Sequence, residues 1–361
     1  MPSEGSVSDA IEFSYDGHLV FNGLYTTAPA NLNVDESDIE AIRDRIDELL
    51  PPLEAEYDGG PKNGFQDIDL DSYFDQYDFE SENARLSSEH RKLAAELFDR
   101  EYVREEFSGA TEIQTEDGRF TGKEVSRHTA YVYWLLPSLL MVQGARPDRR
   151  KAMGTVNEAV GITNGGDDDK RLIRIEPLEF DPLFLLWLLY KEWQDESFET
   201  GLTMVNISEV GLLGSNRDYF GKSAKITGST DIFQSLPFIQ GLLKAKFPNQ
   251  VAGKFQVSGQ TLTVDIQQSG RVHIKADEDI QKATKFERVL LGVQLVRELT
   301  ELRQNWSDLP KEDKYPPPTF AVELYERGKE QDVTIEFQKK LVKNLLAKRK
   351  ESLDDWDLEF S

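Results

Sequence analysis

The sequence predicts an α+β fold that is predominantly helical, with small antiparallel β-hairpins and a meander packed by helices. Three observations support this class. Several segments carry apolar residues at helical spacing, and a run of short alternating segments lies between residues 254 and 275. The chain has 361 residues, 39% of them hydrophobic and 30% charged, which is enough for roughly two domains with a sizeable core.

The helical elements follow from apolar periodicity and from their end signals. Pro51 and Pro52 end the first helix, and Asp181 followed by Pro182 gives a fourth helix an N-cap and a proline in its first turn. A nearly continuous apolar run that contains Pro137 predicts a bent, buried helix. In chain order the predicted helices span residues 35–50, 88–107, 128–142, 183–193, 238–247 and 280–306.

The strands follow from residue alternation between turn residues. Asp16 and Gly17 form a two-residue turn inside a predicted hairpin at 11–21. In the meander, Leu262, Val264 and Ile266 point to one face of the sheet. The other predicted strands span residues 156–163, 172–175, 202–207, 254–257, 261–266 and 271–275.

Charge is distributed unevenly along the chain and defines four regions. The formal net charge is −24, yet residues 1–100 hold 24 acidic and 7 basic residues, whereas residues 201–350 hold 18 acidic and 23 basic residues. The predicted regions are an acidic N-terminal region (1–115, with an acidic loop at 57–88), a main α+β core (116–310), a proline-rich linker (311–318) and a helical C-terminal extension with an acidic and aromatic tip (319–361).

Composition excludes several classes of protein. The chain has no cysteine, so disulfide frameworks, iron–sulfur clusters and thiolate zinc sites are excluded. Four histidines, none close to another in sequence, exclude paired-histidine metal motifs. No apolar run approaches the roughly 20 residues that a membrane span needs, and the start of the chain lacks a secretory pattern. We therefore expect a cytoplasmic protein with no membrane partner and no cofactor.

Two patterns are candidates for catalytic or metal chemistry. Asp265, His273 and Lys275 partly match the nuclease arrangement in which two carboxylates hold magnesium beside a lysine, although a second carboxylate is missing. An ordinary surface charge pair across a hairpin explains the same pattern. A second run of acidic residues has the oxygen spacing of a calcium loop, but Ser72 occupies the position of the required glycine; its members are Asp67, Asp69, Asp71, Asp75 and Asp78.

Two basic segments are candidates for partner binding. A short cluster, Arg146, Arg149, Arg150 and Lys151, stands in otherwise acidic surroundings and could bind phosphate or an acidic partner. The C-terminal extension carries an apolar helix face opposite lysines and then an acidic, aromatic tip, which is typical of a docking segment. Its candidate residues are Lys339, Lys340, Lys343, Trp356 and Phe360. The alternative is that this helix packs on its own domain.

The sequence favours a non-enzymatic interaction or accessory protein with segregated acidic and basic surfaces, whose partner is another protein. No complete catalytic constellation is visible, and this is why an enzyme is the weaker hypothesis. The alternative is a nucleic-acid-associated protein, including a divergent metal-dependent nuclease, that uses the basic C-terminal half. An acidic coat is also typical of halophilic proteins, although lysine (22) is as frequent here as arginine (20).

Overall fold

The computed structural model describes residues 18–30, 38–55, 57–58, 60–68, 70–81, 84–115, 118–160, 172–198, 200–218, 221–228, 231–275, 277–330 and 340–356. The helices are α1 (Ile39–Leu49), α2 (Leu70–Gln76), α3 (Ser88–Glu96), α4 (Arg146–Ala159), α5 (Pro182–Trp193), α6 (Leu236–Leu243), α7 (Lys285–Asp308), α8 (Lys311–Lys314), α9 (Pro318–Lys329) and α10 (Lys340–Arg349).

The strands are β1 (Leu19–Pro29), β2 (Glu54–Ala55), β3 (Lys62–Gln66), β4 (Leu97–Thr115), β5 (Gly118–Leu135), β6 (Leu139–Gly144), β7 (Ile173–Pro177), β8 (Leu202–Asp218), β9 (Gly221–Ile226), β10 (Phe247–Val257), β11 (Gln260–Gln267) and β12 (Val272–Ile274). The predominantly helical fold with small hairpins is therefore wrong. The described part of the chain holds twelve strands, of which β4 has 19 residues, β5 has 18 and β8 has 17.

The chain divides into two compact units with boundaries different from the predicted regions. Val20–Leu178 form one unit, here the N-unit, and Met1–Leu19 with Glu179–Ser361 form the other, the C-unit. The segment predicted as a linker contains α8 and the start of α9. The predicted extension contributes α9 and α10 to the C-unit.

The N-unit sheet runs in the order β2-β3-β4-β5-β6-β1, with β7 also paired to β1. Its core face packs against helices α1 and α4, through residues such as Ile46, Trp134 and Val156, which are fully buried. Two predicted helices are corrected here. The segment 128–142 forms the β5–β6 hairpin with Pro137 in its turn, and 88–107 is helical only to Glu96 before β4 begins. The first stretch is rich in aromatic and β-branched residues, which favour strands, whereas more than half of residues 97–107 are charged and give no such clear signal.

The C-unit sheet runs in the order β12-β11-β10-β8-β9, and its strand pairs are antiparallel. The predicted meander is present, with slightly longer strands. Its apolar face buries Leu262, Val264 and Ile266 completely. The long helix α7 begins at a capping box formed by Thr284 and Glu287 and buries most of its length. The predicted strand at 156–163 is wrong for its described part, because residues 156–159 belong to α4.

Candidate functional site

The C-unit sheet has a second face that is polar. Because side chains alternate along a strand, the residues between the buried apolar positions of β10, β11 and β12 lie together on this face. We call it the polar face; its members are Gln250, Lys254, Thr263, Asp265, Gln267, Arg271, His273 and Lys275. Cross-strand register places His273, Asp265, Ala252 and Glu209 in one row over four strands. At about 4.8 Å per strand, this row spans roughly 14 Å.

Asp265 lies at the centre of the polar face and is only 8% exposed. Its Oδ2 accepts hydrogen bonds from Gln250 Nε2 at 2.9 Å and from Gln267 Nε2 at 3.4 Å. Its Oδ1 is buried and has no hydrogen-bond partner, and the same holds for the Oγ1 of Thr263, two residues away on the same face. Such unpaired buried groups cost roughly 1–3 kcal/mol each. Both atoms are shielded from solvent, so the two unpaired groups lie just beneath the accessible part of the polar face.

Burial raises the pKa of Asp265 above its ordinary value, against the hydrogen bond from Gln267 and the positive charges of Arg271 and Lys225. A carboxyl group that keeps a free acceptor in such a setting favours a ligand that brings a hydrogen-bond donor. Both glutamine amides donate to Asp265, so their carbonyl oxygens are additional acceptors beside it. The centre of the polar face is therefore rich in acceptors.

A histidine pair borders this centre. The Nδ1 atom of His18 lies 2.9 Å from the Nε2 atom of His273, which is directly opposite Asp265 in the strand register. Burial lowers the pKa of His273 to about 4, assisted by the charges of Arg271, His18 and Lys275. A neutral pair shares one proton across the 2.9 Å contact. The two outer ring nitrogens then provide one donor and one acceptor, whichever tautomer is present.

Positive side chains surround the same centre. Lys275 Nζ and Lys225 Nζ each lie 3.5 Å from a carboxylate oxygen of Glu209. Arg271 directly precedes β12, and Lys254 lies within β10 opposite Thr263 of β11, which separates the two strands. The four cations outnumber the two carboxylates, so this surface is locally positive in a protein whose net charge is −24. Local charge of this kind attracts phosphate despite the overall sign.

The structure brings together the three residues that the sequence singled out, but in a different role. Asp265 faces His273, and Lys275 is paired with Glu209, which is the second carboxylate on this face. Within the described residues no three His, Asp or Glu side chains are grouped so that they could hold a metal ion. Sequence reasoning missed His18 and Glu209. The alternation of β8 could have placed Glu209 on a polar face, but nothing local links His18 to a strand 255 residues away.

The acidic run predicted as a calcium loop is divided between different structures. Asp67 pairs with Arg100 Nη1 at 2.8 Å, whereas Asp71 and Asp75 belong to helix α2. Asp78 follows this helix, and its Oδ1 accepts from the backbone N–H of Glu80 at 3.1 Å. Asp69 lies outside the described residues. A helix in the middle of the run replaces the continuous loop that calcium ligation needs.

The predicted basic cluster forms the first turns of α4. Arg146, Arg150 and Lys151 are exposed, and Arg149 is half-buried. Asp148 lies within this cluster in the sequence, and its side chain is buried. Its Oδ1 atom is 3.5 Å from Nη2 of Arg104 on β4 and 3.5 Å from a ring nitrogen of His128 on β5. The cluster thus has a fixed position on the N-unit, beside strands β4 and β5.

The predicted docking helix packs within its own unit. Its apolar side chains Leu341, Val342, Leu345 and Leu346 are buried in α10. Arg349 donates from Nη1 to the carbonyl oxygens of Glu312 and Tyr315, both at 2.6 Å, and this fixes the end of α10. These contacts are those of a core helix, so the alternative of packing on its own domain describes the helix.

The remaining docking candidates have varied positions. Lys343 is exposed, and Lys340 begins α10, although its side chain is not described. Trp356 is half-buried and donates from Nε1 to Glu351 at 2.8 Å, with the Arg349 guanidinium 5.5 Å from its ring. Lys339 and Phe360 lie outside the described residues. The tryptophan is therefore held against the end of α10.

No protein-family model matches the chain, and a search of curated proteins finds no significant similarity. Among the described residues, no helix combines the length and the apolar character needed to cross a membrane.

Proposed function

We propose that this protein is a non-enzymatic binding protein that holds a single-stranded nucleic acid on the polar face of the C-unit. One observation carries the proposal: a centre of buried hydrogen-bonding groups with unpaired atoms, Asp265 and Thr263, is surrounded by Lys225, Lys254, Arg271 and Lys275. Base edges supply donors and acceptors for such a centre, and the phosphates of the same strand suit the cations.

Unpaired bases fit this surface better than a duplex does. Asp265 is only 8% exposed, so a base that has left its stack would approach this centre more readily than a base held in a duplex. His18 and His273 add aromatic rings and a further donor and acceptor at the rim. The chain as a whole is acidic, so affinity has to come from this local surface, with few phosphate contacts and a modest dependence on salt.

The experiment is a titration of fluorescent single-stranded DNA and RNA of roughly 12 nucleotides, with duplex DNA of equal length, followed by anisotropy. With three phosphate contacts, the slope of log affinity against log salt concentration should be about −2. The combined variant Lys225→Gln, Arg271→Gln and Lys275→Gln should weaken binding by about tenfold or more and flatten this slope.

A matched control removes three positive charges from the N-unit through Arg146→Gln, Arg150→Gln and Lys151→Gln, and should leave binding unchanged. The variant Glu209→Gln tests the same surface with the opposite sign. It releases Lys225 and Lys275 from their shared carboxylate and should tighten binding several-fold. No binding at low salt, or equal losses in the two triple variants, would overturn the proposal.

A further inference from the structure

Two of the four histidines of the chain meet beside the centre of the polar face. His18 directly precedes β1 and His273 lies in β12, and both are half-buried residues of the C-unit. Their ring centroids are 5.0 Å apart with the ring planes inclined by 43°, while Nδ1 of His18 lies 2.9 Å from Nε2 of His273. The rings therefore meet through nitrogen atoms and do not stack. The contact is a hydrogen bond, and it holds one proton.

The number of protons on this pair decides what it offers to a ligand. When both rings are neutral, the four ring nitrogens carry two protons; one lies in the contact, so the outer nitrogens are one donor and one acceptor. A third proton converts the outer acceptor into a donor and leaves the contact intact. The pair then carries one positive charge and two outer N–H groups. A fourth proton would place two N–H groups against each other and break the contact.

Neighbouring cations oppose protonation of the pair. Burial, followed by the charges of Arg271, His18 and Lys275, lowers the pKa of His273 to about 4. The charge of His18 is one of these causes, so the pair resists a second positive charge. Arg271 and Lys275 stand two residues before and two residues after His273, on the same face of the hairpin. An anion bound among these cations offsets their repulsion and favours the third proton.

The other charged groups of this face leave the surroundings of the pair positive. Asp265 is directly opposite His273, but it is buried and accepts hydrogen bonds from two glutamines. Glu209 lies at the other end of the same row and is shared by Lys225 and Lys275. The cations of the polar face are Lys225, Lys254, Arg271 and Lys275. An anion that accepts hydrogen bonds is the ligand that these surroundings favour.

We propose that the histidine pair is a proton-dependent phosphate subsite of the polar face. The inference rests on the proposed function, because it assigns one phosphate of the bound strand to the pair. A phosphate oxygen accepts from the outer nitrogen that the third proton has converted into a donor, and the charges of Arg271 and Lys275 add to that of the pair. Binding is therefore accompanied by the uptake of one proton. By reciprocity, a lower pH tightens phosphate binding, and bound phosphate raises the affinity of the pair for its third proton.

Anisotropy of fluorescent single-stranded DNA on the full chain, from about pH 7.5 to about pH 5.5, tests the subsite above the isoelectric point of about 4.6. Wild-type affinity should rise by about tenfold or more, since uptake of one proton allows a gain of at most about tenfold per pH unit. His18→Asn and His273→Asn keep an amide donor and acceptor that do not titrate, so both should match wild type at the upper pH and lose most of this gain. His128→Gln, at a half-buried histidine of the N-unit, is the matched control and should retain it.

Histidine ring ¹⁵N NMR with inorganic phosphate tests the subsite without nucleic acid. Compared with chloride at equal ionic strength, phosphate at about 10 mM should move the midpoint of the third protonation upward by about one pH unit. The ring signals of His90 and His128, both in the N-unit, should not follow. An unmoved midpoint, or the same pH dependence of binding in wild type and both asparagine variants, would overturn the subsite. A moved midpoint without any binding of the oligonucleotide would support the subsite, with a free phosphate compound as its ligand, and overturn the proposed function.

Discussion

The two units contain the same local arrangement of strands, but the side chains at equivalent positions of the two sheets have opposite character. In the N-unit, β4, β5 and β6 form a meander followed by α4, and in the C-unit β10, β11 and β12 form a meander followed by α7. The central strand has Tyr133 at mid-face in the first and Asp265 in the second. Tyr133 is fully buried, with the edge of its ring against Phe21 at 6.0 Å.

The neighbours of these two residues show the same contrast. Tyr133 has Asp99 opposite on one side and Met141 on the other, so a large ring and a thioether fill the surface. Asp265 has Ala252 on one side and His273 on the other. Asp265 therefore lies beside a small side chain, and its Oδ1 has no hydrogen-bond partner. Equivalent sheet positions thus hold a large buried ring in the N-unit and, in the C-unit, the carboxylate of the face proposed to bind.

The largest effect that this comparison predicts is the loss of stability when the buried ring of Tyr133 is removed. Tyr133→Ala removes a completely buried aromatic side chain and should lower the free energy of unfolding by about 3–5 kcal/mol. Urea unfolding followed by tryptophan fluorescence measures this loss. Nucleic-acid affinity of the folded fraction should not change, because Tyr133 belongs to the other unit. A loss below about 1 kcal/mol would show that the N-unit face is not sealed by packing.

The next largest effect is expected from Asp265→Asn, which should weaken binding without lowering stability. Asp265→Asn keeps an oxygen for Gln250 and Gln267 but replaces the unpaired acceptor with an amide donor. Affinity for single-stranded nucleic acid should fall by about tenfold, which corresponds to about 1.4 kcal/mol. Stability at neutral pH should stay the same or rise, because a buried carboxylate with an unpaired oxygen is removed.

Two outcomes would contradict this balance. Unchanged affinity would remove Asp265 from the binding surface. A destabilisation as large as that of Tyr133→Ala would show that the carboxylate is a structural group, so that both meanders use their central residue for stability. Val205→Asp, on an exposed strand position outside the row of Asp265, serves as the control for a change in charge.

The sequence predicted the C-unit meander well and the N-unit meander poorly, for a physical reason. Alternation of Leu262, Val264 and Ile266 has the period of a strand, so its position and its buried face could be read directly. The stretch around Tyr133 and Trp134 is apolar on both faces, and a continuous apolar run does not distinguish a buried strand from a buried helix.

The candidate site could be predicted only in part. Strand alternation put Asp265, His273 and Lys275 on one face, and in the structure Asp265 lies directly opposite His273. His18 and Glu209 join them through long-range strand pairing, for which no local signal exists. The unpaired oxygen of Asp265 is a property of packing, and packing cannot be read from residue types. The length of β4 and β5 also escaped prediction, since the start of β4 lay in the helix predicted at 88–107 and no element was predicted for residues 108–127.

The stability contributed by the polar face should depend on pH. His273 has a folded-state pKa of about 4, lowered from 6.5 chiefly by burial. Its contribution is fully present above pH 6.5 and is lost as the pH falls through about 4, because the unfolded chain takes up the proton first. Urea midpoints should therefore fall over this window, and His273→Asn should reduce that fall.

Asp265 should contribute to the pH dependence of stability with the sign opposite to that of His273. Its pKa is raised in the folded state, so its contribution is present at low pH and is lost as the pH rises through the folded-state value. The variant Asp265→Asn should therefore gain stability over wild type at neutral pH and lose that gain in acid. Parallel pH profiles for wild type, His273→Asn and Asp265→Asn would contradict the assignment of both groups.

The smallest predicted effect is that of Tyr133→Phe, which removes the hydroxyl group of Tyr133 and keeps its ring. Tyr133 Oη is completely buried without a hydrogen-bond partner in the structure, and burial together with the charge of Asp99 raises its pKa well above the usual range. The hydroxyl is thus held neutral and unpaired at a cost of roughly 1–3 kcal/mol. Tyr133→Phe removes that cost, keeps the ring against Phe21 and leaves a gap of only one oxygen atom. The gap offsets part of that gain, so the net stabilisation should be about 1 kcal/mol. A loss of more than about 1 kcal/mol would mean that the hydroxyl is bonded, for example through a buried water, and that the N-unit face is not the sealed counterpart of the polar face.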